Sequence, residues 1–151
     1  MTIQIDTKEK QRAITKIIQT FDDRGVKHIS SKLYVGDYMN LKNPMIIVDR
    51  KQNLRELASN VSYRDRKRFI SEIKRANDIG IKLIFLVEHG GAIRTLRDVQ
   101  DWYNPRLKVS PMAMSGDRLY KVLSTLQKTY GVEFQFCKKC DTGKRILELL
   151  S

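Results

Sequence analysis

At 151 residues, 41% of them hydrophobic and 30% charged, the chain has the size and composition of one soluble globular domain able to bury its own core. No apolar run approaches a membrane span, Met1 to Lys10 holds no apolar signal-peptide core, and two cysteines are too few for a disulfide framework, so an intracellular, non-secreted setting is expected. Lys plus Arg number 29 against 17 Asp plus Glu, a net +12 that points to a polyanionic partner, most often nucleic acid, without separating DNA from RNA or an enzyme from a passive binder.

In chain order, Ile14, Ile17, Ile18 and Phe21 recur at helical spacing, and Gly25 then stops the helix before Val26. Lys32 to Leu41 and Met45 to Lys51 read as two strands joined by a turn at Lys42-Asn43-Pro44, an antiparallel hairpin. A second amphipathic helix carries Phe69, Ile70, Ile73 and Ala76, ends at Gly80, and leads into Ile81 to Val87. That run is apolar almost throughout, as expected of a strand buried on both faces at the sheet centre. Glu88 to Gly91 reads as a loop. A helix follows with Ile93, Leu96, Val99 and Trp102, then a basic connecting loop from Asn104-Pro105 to Ser110-Pro111. A further helix with Leu119, Val122, Leu123, Leu126 and Tyr130 stops at Gly131 before the strand Val132 to Phe136, and a short helix from about Asp141 to Leu150 closes the chain. Helices alternating with strands make this an α/β layered protein with a mixed sheet.

The chemistry sits in the hairpin. Asp49 and Lys51 are two apart on one strand, so their side chains share a face while Arg50 points the other way. Asp37 on the preceding strand can bring its carboxylate beside Asp49. Two converging carboxylates repel unless a cation compensates them, and oxygen ligands suit a hard divalent ion. A neighbouring lysine can then hold water or neutralise charge developing on phosphate. By spacing alone the pattern is a weak signal, and a solvated hairpin with cross-strand charge pairs explains it better. The apolar run Met45 to Val48 leading into Asp49 places these charges at the end of a buried strand instead.

Val35-Gly36-Asp37-Tyr38 followed by Ile47-Val48-Asp49-Arg50-Lys51 resembles the signature of the ERCC4 (XPF/Mus81/Hef-type) nuclease domain, a branch of the PD-(D/E)xK superfamily whose pattern is Gly-Asp, a gap, then Glu-Arg-Lys. Ile5-Asp6-Thr7-Lys8-Glu9 is similar to the family's opening strand, Asp65 to Glu72 to its basic helix, and Leu83 to Glu88 to its central strand. The carboxy-terminal part is similar to compact phage and prophage members. The resemblance implies a restriction-endonuclease-like mixed sheet with helices on both faces. It further implies Mg²⁺- or Mn²⁺-dependent hydrolysis of DNA, often at flaps, forks or junctions, in repair or recombination. Asp37 and Asp49 would then be metal ligands, Lys51 the catalytic lysine, Asp6 a further acidic member of the site and Arg50 a supporting residue. Arg64, Arg66, Lys67 and Arg68 would contact DNA. The setting would be the cytoplasm of a bacterium or phage-infected cell, and the protein would work as a homodimer or with a partner subunit. The alternative is a nuclease-like module that binds branched DNA or a partner without cutting. Three positions depart from the pattern. Asp49 stands where Glu is usual, Lys8 replaces Arg, and Arg55 occupies a position where another Asp is frequent.

The whole chain, 1–151, is expected to be a single nuclease domain, with a catalytic core over 1–90 and an extension of the same sheet over 91–151 that lacks the Gly-x-Gly pairs of a helix-hairpin-helix module. Glu88, at the end of the central strand, is a candidate accessory carboxylate. Arg94, Arg97, Arg106 and Lys108 form a second candidate basic surface. Cys137-Lys138-Lys139-Cys140 is a single CxxC, short of the four ligands a structural zinc needs.

Overall fold

The computed structural model describes residues 1–151. Six strands form one mixed sheet in the order β2-β1-β3-β4-β5-β6. They are β1 (Thr2–Ile5), β2 (Lys27–Ser30), β3 (Tyr38–Asn40), β4 (Asn43–Lys51), β5 (Lys82–Glu88) and β6 (Glu133–Cys137). The pairs β1/β2, β4/β5 and β5/β6 are parallel, whereas β1/β3 and β3/β4 are antiparallel. Five α-helices connect them: α1 (Thr15–Asp23), α2 (Leu54–Asn60), α3 (Arg66–Asp78), α4 (Gly116–Tyr130) and α5 (Thr142–Leu150).

The alternation of side chains along β5 divides the interior in two. Leu83, Phe85 and Val87 pack with α2, α3 and α4 on one face, where Leu57, Ile73, Leu119 and Leu123 are fully buried. Ile84 and Leu86 point to the other face and meet α1 and α5 through Ile17, Phe21, Ile146 and Leu150. Both faces of β5 are thus covered, as its apolar sequence requires. The three helix stops at Gly25, Gly80 and Gly131 all take positive φ. Residues 91–151 supply β6, α4 and α5, so they contribute to both cores and extend the sheet.

Two expected elements differ. The strand anticipated over Lys32 to Leu41 is confined to Tyr38–Asn40. β2 and β3 lie on opposite sides of β1, so the chain between them must cross the carboxyl end of β1 and reverse direction, and it cannot ladder while doing so. Its turn falls at Leu41-Lys42, one residue ahead of the predicted position, and β4 already begins at Asn43. The helix expected around Ile93 to Trp102 is reduced to a 3₁₀ turn over Arg97–Asp101. There the Asp98 carboxylate accepts the amides of Arg94 (2.9 Å) and Thr95 (3.0 Å), a local side-chain cap that holds the preceding residues in a turn.

Candidate active site

The site is assembled where β1 and β4 end and β3 begins. Gly36 makes the approach possible. Its φ is +71°, and a Cβ there would stand 2.4 Å from Ile47 Cγ2 and 3.3 Å from the Val48 carbonyl oxygen. Only glycine allows the crossing segment to lie this close to β4. Asp37 follows directly. Its amide donates to Val48 O (2.9 Å), its carbonyl accepts the amide of Asp6 (2.8 Å), and its Oδ2 accepts the amide of Arg50 (2.8 Å). The Asp37 carboxylate is therefore pinned beside the Asp49–Lys51 stretch.

Asp49 and Lys51 share the face of the sheet that carries α3, with Lys51 Nζ 3.3 Å from Asp49 Oδ1. The ammonium lies over the rings of Phe69 (5.6 Å) and Phe85 (5.7 Å), which hold it by cation–π attraction on a nearly buried stem. Burial raises the Asp49 carboxyl to about 7; the Lys51 charge opposes this, and Glu72, within hydrogen-bonding reach from α3, adds to it. Asp37 is pushed well above the ordinary carboxylate range by burial first, then by the charges of Asp49 and Glu9. Burial works to lower Lys51, but the surrounding carboxylates Asp49, Glu56, Glu72 and Asp37 outweigh it and hold the ammonium protonated. The arrangement is a pair of acids short of positive charge beside a lysine that stays cationic.

Arg50 projects to the opposite face. Its Nε donates to Glu9 Oε2 (2.8 Å), its Nη2 to Glu9 Oε1 (3.3 Å), and its Nη1 to Glu88. Tyr38 Oη donates to the same Glu9 oxygen (2.8 Å), and Thr142 Oγ1 on α5 donates to Glu88 Oε2 (2.7 Å). One buried guanidinium thus joins the segment after β1 to the ends of β4 and β5, and through Glu88 to α5. Glu88, a candidate accessory carboxylate by sequence, has both oxygens engaged in this network.

Asp6 is fully buried, with Oδ1 accepting the Leu33 amide (2.7 Å) and Oδ2 the Lys8 amide (2.9 Å). It ties the crossing segment to the end of β1. Nowhere in the chain do three acidic, histidine or cysteine side chains converge in a metal-binding group, so Asp6 is not brought into one with Asp37 and Asp49. Two carboxylates that sequence reasoning did not assign to the site do approach it. Glu9 raises Asp37 from one side, and Glu72 faces Asp49 from the other. Glu9 stood in the opening-strand motif and Glu72 at the end of the Asp65 to Glu72 block, three residues after Phe69 on the same helix.

In front of Lys51 lies a cleft of about 510 Å³ lined by Lys8, Arg68, Arg75 and Glu72 among others. Asn60 lines it too and holds a buried oxygen, Oδ1, that receives no protein hydrogen bond. Of the four predicted DNA-binding residues, Arg68 borders this cleft, 3.6 Å from Asp65 and otherwise exposed. Arg64 and Arg66 line a neighbouring groove, and Lys67 is exposed and borders neither. Cys137 and Cys140 are both free thiols, with Cys137 Sγ 3.6 Å from Thr142 Oγ1.

A mixed sheet covered by helices on both faces, with acids and a lysine gathered at strand ends, is the α/β architecture of the restriction-endonuclease-like class. The family model for the ERCC4 domain matches residues 5–149, nearly the full length, and the chain belongs to that family. Among solved structures, XPF from Aeropyrum pernix matches with a TM-score of 0.69 at 22% identity, covering 99% of this chain and 63% of that one. XPF from Aeropyrum pernix in complex with DNA matches with a TM-score of 0.67 at 23% identity, covering 99% and 62%. The chain therefore spans about three-fifths of the length of the solved chains it matches. Comparison with curated protein sequences finds no significant match.

Proposed function

We propose that this chain is a divalent-metal-dependent DNA endonuclease, one nuclease domain over 1–151 that cuts branched DNA such as flaps, forks or junctions in repair or recombination. The observation that carries this reading is the buried pair Asp37 and Asp49 beside a cationic Lys51 that itself lines a basic cleft. The donor set fits Mg²⁺ or Mn²⁺: both acids offer hard oxygens, and burial with the repulsion of neighbouring carboxylates leaves them in want of positive charge. Asp37 and Asp49 would hold the ion, with Glu9 and Glu72 in reach of the same field; Asp6, whose oxygens accept the Lys8 and Leu33 amides, would act by shaping the backbone that presents Asp37. When bound, a divalent cation supplies Lewis-acid stabilisation of charge on the scissile phosphate.

Lys51, protonated and fixed over two aromatic rings, aims its charge at the phosphate as the attacking water adds and the ester P–O bond breaks. Arg50 holds Asp49 and Lys51 in register by fastening the strand between them to Glu9 and Glu88. Arg68, with Lys8 and Arg75, would draw the DNA backbone into the cleft. A homodimer or a partner subunit belongs to the same reading, as the family resemblance implies. The +12 charge and the free cysteines suit nucleic-acid work inside a bacterial or phage-infected cell.

Single-turnover cleavage of labelled flap, fork and four-way-junction DNA, with Mg²⁺ omitted and restored, tests the proposal. Cutting that requires the metal and disappears in Asp49→Ala/Lys51→Ala is expected. No cutting of any substrate, or equal cutting by the double variant, would sink it. The competing non-catalytic module draws on one observation, the lack of a third converging ligand. Titration calorimetry with Mn²⁺ separates the two, because a module without catalysis has no need to bind the ion.

A further inference from the structure

Beside the catalytic cleft, and sharing Asp65 with it as a common wall, runs a second, larger groove of about 790 Å³. Five arginines line it: Arg55 from α2, Arg64 from the turn before α3, Arg66 from its first residue, Arg106 from the 104–115 connection and Arg118 from α4. None has a carboxylate within salt-bridge distance, in contrast to Arg50, Arg68 and Arg145, which do. Only two acids, Glu56 and Asp65, line the groove, and Glu56 spends one oxygen on the Gln52 amide (2.7 Å). Arg66 Nε donates to the Val61 carbonyl oxygen (2.8 Å), but no carboxylate neutralises any of the five, and such an excess of positive charge in one concavity is repulsive by itself and is relieved by an anionic chain.

The groove is a built surface. Buried Asn104 fastens its far wall, donating to Met114 O (2.9 Å) and accepting from the Arg106 amide (3.1 Å). At Gly116 a Cβ would stand 2.2 Å from Trp102 O and 2.5 Å from Val99 O, so α4 is seated directly on the preceding 3₁₀ turn. Ser115 caps α4 by accepting the Arg118 amide (3.2 Å), which fixes the backbone that carries Arg118. On the lip stand two apolar side chains in full view of solvent, Tyr63 at 100% exposure and Met112 at 88%.

Duplex DNA keeps its bases stacked inside and shows a protein phosphates and groove edges, so it has no use for a projecting ring. Unpaired bases do, because they stack on aromatic side chains while arginines follow the backbone. We infer that the groove lined by Arg55, Arg64, Arg66, Arg106 and Arg118, with Tyr63 on its lip, binds a single-stranded DNA arm leading out of the catalytic cleft. The inference rests on the proposal that DNA is the substrate. It assigns a role to Arg55 and to Arg106, the one member of the basic set Arg94, Arg97, Arg106 and Lys108 that reaches the groove.

The test is fluorescence anisotropy of the full chain with fluorescein-labelled oligothymidine and with a blunt duplex of equal length, in EDTA so that no cutting is needed. Tyr63→Ala should weaken oligothymidine binding about tenfold, the loss of one stacked base, while Tyr63→Phe keeps the affinity and duplex binding changes little. Arg106→Ala/Arg118→Ala should flatten the log-affinity against log-salt slope for oligothymidine by about 1.4, two single-strand phosphate contacts. All three residues are exposed, and a thermal melt matching the parent confirms that the fold is kept. Parent-like oligothymidine binding by the variants, equal losses on single strand and duplex, or no oligothymidine binding by the parent would each overturn the inference. Loss of cleavage in the branched-DNA panel with these binding effects intact would sink the nuclease reading and leave the groove standing; the reverse pattern would do the opposite.

Discussion

Asp49 lies at a strand end between a lysine and a second carboxyl group, and its proton affinity is a direct record of that position. In the fold it titrates near 7, against an ordinary value of 3.8, because burial disfavours the charged form and Glu72 adds to this while Lys51 only partly offsets it. Between those two pH values the native state keeps a proton that the unfolded chain has released. This group's contribution to stability is therefore greatest below about 4 and is lost as pH rises through 7. In EDTA, the stability of the parent relative to Asp49→Asn should fall as the pH is raised from 5 to 8, by an amount on the order of a few kcal/mol at most, and its melting temperature should fall with it. Mg²⁺ at pH 8 should restore the parent and leave the variant unmoved. Thermal melts across pH, with and without metal, check this, and a parent-minus-variant difference that is flat with pH would refute the uncompensated acid pair.

At the scale of elements, the site depends on how the segment after β2 crosses the end of β1. Gly36 is the tightest point of that crossing, and Asp6 stitches it down through the Leu33 and Lys8 amides. Gly36→Ala combines a left-handed backbone with an overpacked contact against Ile47, and together these should cost about 2–5 kcal/mol. Urea denaturation checks the figure, and unchanged stability would show that Asp37 is not presented by this strained approach. α2 shows a gentler version of the same local control. Asn53 Oδ1 accepts the Glu56 amide (2.9 Å) while Glu56 reaches back to Gln52, so the helix begins immediately after β4 and leaves Arg55 to line the neighbouring groove.

For the whole molecule, α5 is the element that links the site to the second core. Ile146, Leu147 and Leu150 are buried against α1 and the sheet, Thr142 holds Glu88, and Asn40 Nδ2 donates to Leu150 O (3.0 Å). Burying three such aliphatic side chains stabilises by roughly 5–9 kcal/mol, comparable with the entire stability of about 5–15 kcal/mol expected of a domain this size. A chain ending at residue 137 should therefore lose cooperative unfolding and near-ultraviolet circular dichroism. A sharp melt from that truncated chain would show instead that residues 1–137 form a self-sufficient core.

Much of this protein was legible in its residues. The apolar periodicity and the glycines after it determined α1, α3 and α4, and the unbroken apolar run determined that β5 is central, because these patterns report local geometry and which face is buried. The two-residue step from Asp49 to Lys51 determined that they share a face and that Arg50 does not. Local patterns could not determine what crosses what. The strand order forced residues 31–37 out of the ladder, and Asp98 turned an amphipathic-looking stretch into a single 3₁₀ turn. Only the tertiary structure brought Glu9 and Glu72 up to the acid pair, engaged Asp6 with backbone amides, and gathered five arginines from four distant segments into one groove. The reason is physical: electrostatic convergence depends on distances between side chains, and distances between residues far apart in sequence are set by the packing of the sheet and its two helical layers.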